Sequence, residues 1–67
     1  MYIHELVNNP EFNFNAPYRI LKYIGGDETI TMFDSTVSTD IHFDLMMKYI
    51  TAINPGDDGV VEIEYAD

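Results

Sequence analysis

The chain has 67 residues, no cysteine, and twelve acidic against three basic side chains, for a formal charge of −9. That length holds one domain, residues 1–67, whose core hides only about 60% of the unfolded surface, and with no disulfide or thiolate metal site to reinforce it, a homodimer is the remaining external support. The charge excludes direct binding to nucleic acid, which depends on cations that neutralise phosphates, and favours a basic protein partner instead. Five tyrosines and four phenylalanines argue for a packed core rather than disorder.

The N-terminal MYIHELVNN has neither a basic leader nor a long apolar stretch, and no run in the chain approaches the roughly 20 apolar residues of a membrane span. A soluble, cytoplasmic protein without a membrane partner is expected, and the absence of cysteine suits a reducing compartment. Ile3, Leu6 and Val7 follow helical spacing, so one or two helical turns precede Asn8-Asn9-Pro10, where proline ends the helix. The following EFNFNAP alternates Phe12 and Phe14 with polar neighbours and reads as an extended segment that pins two rings to the core.

Tyr18 to Phe33 carries the strongest local signal. Two β-prone runs flank Gly25-Gly26-Asp27, and glycine enters positive φ without steric cost, which predicts a β-hairpin. Alternation sends Tyr18, Ile20, Lys22 and Ile24 to one face and Arg19, Leu21 and Tyr23 to the other, and in the second strand separates Ile30 and Met32 from Thr29, Thr31 and Phe33. Neither face is polar, so one packs on a helix and the other is partly covered by another segment or subunit. The apolar interface residues this nominates are Tyr23 and Phe33.

Beyond the polar DSTVST stretch, where Ser38, Thr39 or Asp40 could cap a helix, IHFDLMMKYITAI supports two readings. As one long helix it gathers Asp40, Asp44, Lys48 and Thr51 in a polar stripe and leaves a three-stranded sheet. As a short helix at 40–45 and a strand from about 47 to 53, it pairs through the turn-rich Asn54–Gly59 segment with a final strand, Val60–Tyr65. The second reading is favoured: an α+β domain of αββαββ order, with a small four-stranded antiparallel sheet and short helices on one face.

Four patterns could carry chemistry. Gly25-Gly26-Asp27-Glu28 matches the GGDE core of the diguanylate cyclase signature, but Thr29 replaces that family's phenylalanine and the chain is too short for its nucleotide site, which leaves a turn. Asp40, His42 and Asp44 would share a face only if extended, and a capping aspartate with an exposed histidine is the plainer interpretation. Asp57-Asp58-Gly59 lacks the alternating ligands and terminal glutamate of a calcium loop. Nothing places Ser35 or Ser38 beside His4 or His42 with an orienting carboxylate. No catalytic, metal or cofactor residue is assigned, and the chain reads as a non-enzyme.

A short N-terminal helix, the entry into YRI, a strand ending in FDS, the DIHFDLMMKYI segment and a terminal VVEIEY strand together resemble small acidic uncharacterised proteins of bacterial phages and mobile elements. The resemblance implies the αββαββ arrangement and assigns no activity. Two functions follow from the residues. The first is a non-catalytic protein-interaction module working through a partly apolar sheet face. The second is an acidic inhibitor that imitates nucleic acid and blocks a basic site on a nucleic-acid-binding protein, through a face formed by Asp57, Asp58, Glu62 and Glu64.

Overall fold

Glycine at positions 25 and 26 turns the chain back on itself. In the computed structural model, which describes residues 1–66 and only the backbone at 13–15, Gly25 has φ 123° and Gly26 φ 58°, and among the described residues only glycines have a positive φ. The turn joins β1 (Tyr18–Gly25) to β2 (Glu28–Asp34) as an antiparallel pair. A second antiparallel pair, β3 (Ile50–Pro55) and β4 (Val61–Tyr65), is closed by a loop in which Gly56 donates to the Val60 carbonyl at 2.9 Å and Asp58 Oδ1 accepts from the Val60 N–H at 3.1 Å.

The two hairpins join through their inner strands. The order is β2-β1-β4-β3, and β1 runs parallel to β4, pairing Tyr18 with Val61, Ile20 with Ile63 and Lys22 with Tyr65. The sheet is therefore mixed, antiparallel within each hairpin and parallel at the seam between them, where a wholly antiparallel sheet was expected. The order follows from burial: β1 and β4 are the strands with fully buried residues, Ile20 and Ile63, and central positions bury more than edges.

Three short helices cover one face. In α1 (Ile3–Val7), Glu5 Oε1 reaches back to accept from the Tyr2 N–H at 2.8 Å, satisfying a donor the helix leaves open. The segment expected to be extended after Pro10 is instead α2 (Pro10–Asn15). Asn9 caps it, accepting from the Glu11 N–H at 2.9 Å, and Pro10 occupies the first helical position, where its fixed φ suits the helix and its missing N–H costs nothing. The proline that stops one helix thus starts the next. Phe12 packs against the core and its ring tilts onto Tyr18 at 5.3 Å; the Phe14 ring lies outside the described side chains.

α3 (Phe43–Met46) ends well before Tyr49, which removes the long-helix alternative and the three-stranded sheet with it. Its cap is His42, whose Nδ1 accepts from the Asp44 N–H at 3.2 Å, rather than Ser38, Thr39 or Asp40. β3 begins at Ile50, later than expected, because the stretch before it is held by the N-terminus: Ile3 N donates to Lys48 O at 2.9 Å and Ile50 N to Met1 O at 2.8 Å.

The core lies between this helical layer and the sheet. Ile3, Val7, Leu45, Ile20, Phe33, Ile63 and Tyr65 form one buried cluster, with Leu6, Phe12, Met46 and Ile50 packed around it. Phe33 is 8% exposed, so it belongs to this core and not to the exposed apolar face on which it was expected beside Tyr23. The reason is a bulge. Ile20 pairs with Phe33 but the next residue, Leu21, pairs with Thr31, so Met32 is extra and the alternation of β2 shifts across it.

Candidate functional site

β1 pairs with β4 only as far as Lys22, whereas its pairing with β2 continues to Gly25. The end of the first hairpin therefore projects past the end of β4. Tyr23 and Ile24 lie on this end, Ile30 at its base opposite Lys22, and Met32 further back at the bulge. Tyr23, Ile24, Ile30 and Met32 are 39%, 48%, 47% and 45% exposed, although residues of this size are ordinarily recruited to a core. The Tyr23 hydroxyl donates to the Gly26 carbonyl at 2.8 Å, which fixes the ring against the turn.

Beside this ring lies a shallow groove of about 230 Å³ lined by Tyr23, Gly26, Asp27, Glu28, Thr29 and Glu64. Three of the six are carboxylates, and no cation lines the groove. Ile30, opposite Lys22, lies on one face of the hairpin, and the groove lies on the other with Tyr23, Thr29 and Glu64, so the hairpin carries an apolar side and an acidic side. Of the two expected interface residues, Tyr23 is part of this surface and Phe33 is not. Ile24, Ile30 and Met32 were missed because strict alternation assigned them to faces that a covering layer would bury. A usable signal was present: both strands are apolar on both sides, more than one thin layer of helices can cover.

The second candidate, the acidic face, is organised around Arg19 on β1. Its guanidinium meets Asp58 at 2.8 Å, Asp34 at 3.3 Å and Glu62 at 3.3 Å, linking the ends of β1, β2 and β4 with the β3–β4 loop. This happens on the face opposite the helices, where Leu21 is also buried, apart from the main cluster. Asp58 is held below the usual carboxylate range by Arg19 first and the Val60 N–H second. Asp34 is lowered as well, chiefly by the hydroxyl and N–H of Thr36, with Arg19 contributing less. Burial pushes Tyr18 up.

Of the four acidic residues nominated, Asp58 and Glu62 are therefore partnered by a cation within the chain. Glu64 accepts from Asn54 Nδ2 at 3.2 Å and also lines the hairpin groove, and Asp57 is exposed on the loop. Asp58 and Glu62 share Arg19, and Glu64 lies two residues beyond Glu62 on the same face of β4. Asp40, His42 and Asp44 do not assemble into a metal site, since His42 Nδ1 is 3.8 Å from Asp44 Oδ2 and already accepts from the helix. Among the described residues no group of three or more histidine or acidic side chains is arranged to hold a metal ion, and no helix is long and apolar enough to cross a membrane. Gly25-Gly26-Asp27-Glu28 forms the hairpin turn and the start of β2. Comparison with known proteins finds no match to any family model, curated protein or solved structure.

Proposed function

We propose that the protein is a non-catalytic interaction module that engages a basic protein through the projecting end of its first hairpin. The observation that carries this reading is the exposure of Ile24, Ile30 and Met32 on a hairpin whose Tyr23 also lines a groove with the carboxylates of Asp27, Glu28 and Glu64. A hairpin with exposed apolar side chains and an acidic groove combines the two elements of a protein interface, a surface that gains from leaving water and charge that selects the partner. The resemblance to small acidic proteins of phages and mobile elements suggests a setting for such a module and names no partner. The acidic-inhibitor reading has weaker support, because Arg19 sits among Asp34, Asp58 and Glu62 and interrupts the carboxylate array that mimicry of nucleic acid requires.

The test is a photo-cross-linking residue placed at position 30 and, separately, at position 53 on the opposite edge of the sheet, followed by reconstitution of the captured protein with the purified chain. Capture of a basic protein from position 30 alone, with an association rate that falls as salt rises, is the expected result. Equal capture from both positions, or a reconstituted complex indifferent to the hairpin side chains, would remove the reading. Loss of binding when Asp57, Asp58, Glu62 and Glu64 are converted to Asn or Gln, with the hairpin variants unaffected, would favour the inhibitor instead.

A further inference from the structure

Resting on that reading, we infer that the outer edge of β2 takes up an extended basic segment of the partner as a fifth strand. The two edges of this sheet are finished differently. At the β3 edge, residues 1–3 close the beginning of the strand through the Tyr2–Tyr49 bridge and the bonds from Ile3 N to Lys48 O and from Ile50 N to Met1 O, and Pro55 ends it without an N–H to offer. At the β2 edge, no strand among the described residues pairs with its outer side. Its sequence, ETITMFD, contains neither the lysine nor the proline that ordinarily blunts an edge, and Thr29, Ile30 and Thr31 all favour extended backbone. The bulge at Met32 bounds the regular stretch, so the ladder on offer is Glu28–Thr31, with the Met32 side chain beyond it.

Charge decides the occupant. A second copy adding to the same edge would bring together two chains of net charge −9. A basic segment meets the opposite field. Its main chain bonds the free N–H and C=O groups of β2, alternate apolar side chains lie along Ile30, and a lysine or arginine reaches the groove of Asp27, Glu28 and Glu64, where the Tyr23 ring offers a π face to the cation. Main-chain bonding supplies the attachment and the groove supplies the preference for cations.

The probe is an eight-residue peptide alternating lysine with valine, titrated into the folded chain while amide shifts and hydrogen exchange are followed. The inference predicts saturable shifts and slowed exchange confined to Glu28–Met32 and the groove. Ile30→Lys, on an exposed edge position, should weaken binding at least about tenfold, and Ile53→Lys on the other edge should leave it unchanged. Two controls act on the peptide and need no variant to fold: glutamate in place of lysine, and N-methylation of alternate backbone nitrogens, should each abolish binding. Strand addition is overturned by shifts mapping to the β3 edge or the Asp57-Asp58 loop, by full affinity of the N-methylated peptide, by no binding at millimolar peptide, or by β2 protection that grows with protein concentration alone, which would make a second copy the occupant. A captured partner that needs Ile24, Ile30 and Met32 yet leaves the β2 amides exchanging freely would overturn strand addition and keep the interaction module. A partner indifferent to those side chains would overturn the module itself.

Discussion

Arg19 is where single side chains have the widest reach in this molecule. With only three basic residues in the chain, committing one to Asp34, Asp58 and Glu62 offsets repulsion at the point where β1, β2, β4 and the β3–β4 loop converge. Asp34 and Asp58 both ionise below the ordinary carboxylate value of 3.8, so what they add to stability is present above that value and lost as pH falls through their depressed folded-state values. In an Arg19→Met variant Asp58 loses the largest cause of its lowering, while Asp34 keeps its Thr36 bonds. The melting temperature of the variant should fall below that of the parent at neutral pH, and the gap should narrow as pH drops below 3.8, because protonation of Asp58 and Asp34 removes the charges that Arg19 meets. Thermal melts from neutral pH to pH 2 measure this. A gap of constant size would mean that Arg19 acts through the packing of its stem and not through its charge.

The hairpin is the element on which the rest depends. Gly26 at φ 58° is in the left-handed region, and of the two loop residues, Gly26 and Asp27, it alone has a positive φ, the pattern in which glycine takes the first central position. A β-branched residue there is strained, so Gly26→Val should cost about 1–3 kcal/mol, and each kcal/mol lowers the midpoint by about 4–8 °C in a domain this small. A variant melting within a degree of the parent would remove the turn from the account. This hairpin and the Asn54–Gly59 loop were legible in sequence because glycine, proline and aspartate punctuate alternating apolar runs. The helix at Pro10 was not, because one proline serves as the stop of α1 and the first residue of α2, and local spacing cannot separate those roles. Nor was the true position of Phe33, since a bulge is set by the pairing partner and not by the strand that carries it. The apolar part of the site was half legible: Tyr23 stood out by alternation, whereas the exposure of Ile24 depends on β4 ending short of the hairpin tip and that of Ile30 and Met32 on β2 being an edge of the sheet. The parallel seam between β1 and β4 left no trace in either strand.

At the scale of the whole molecule, a net charge of −9 is carried on a core of seven clustered buried side chains. Exposed charges are screened beyond a Debye length of about 8–10 Å near physiological ionic strength, so the melting temperature should rise between about 0.01 and 0.15 M salt while association with a basic partner slows. A melting temperature that fell with salt would mean that the Arg19 pairs outweigh the repulsion of all the other carboxylates. The two effects oppose each other by design of the surface: the field that recruits a basic partner also loosens the fold that presents it.

The central claim is that Ile24, Ile30 and Met32 are exposed for binding and do not hold the fold together, and one variant with two readouts tests it. Replacing all three with serine removes the apolar strip and leaves the core of Ile3, Ile20, Phe33, Ile63 and Tyr65 untouched. Thermal melting and titration of the basic partner should then separate: the melting temperature stays within about 4–8 °C of the parent, a change of roughly 1 kcal/mol, and affinity for the partner falls at least about tenfold. A variant that fails to fold, or one that binds as tightly as the parent, contradicts the account.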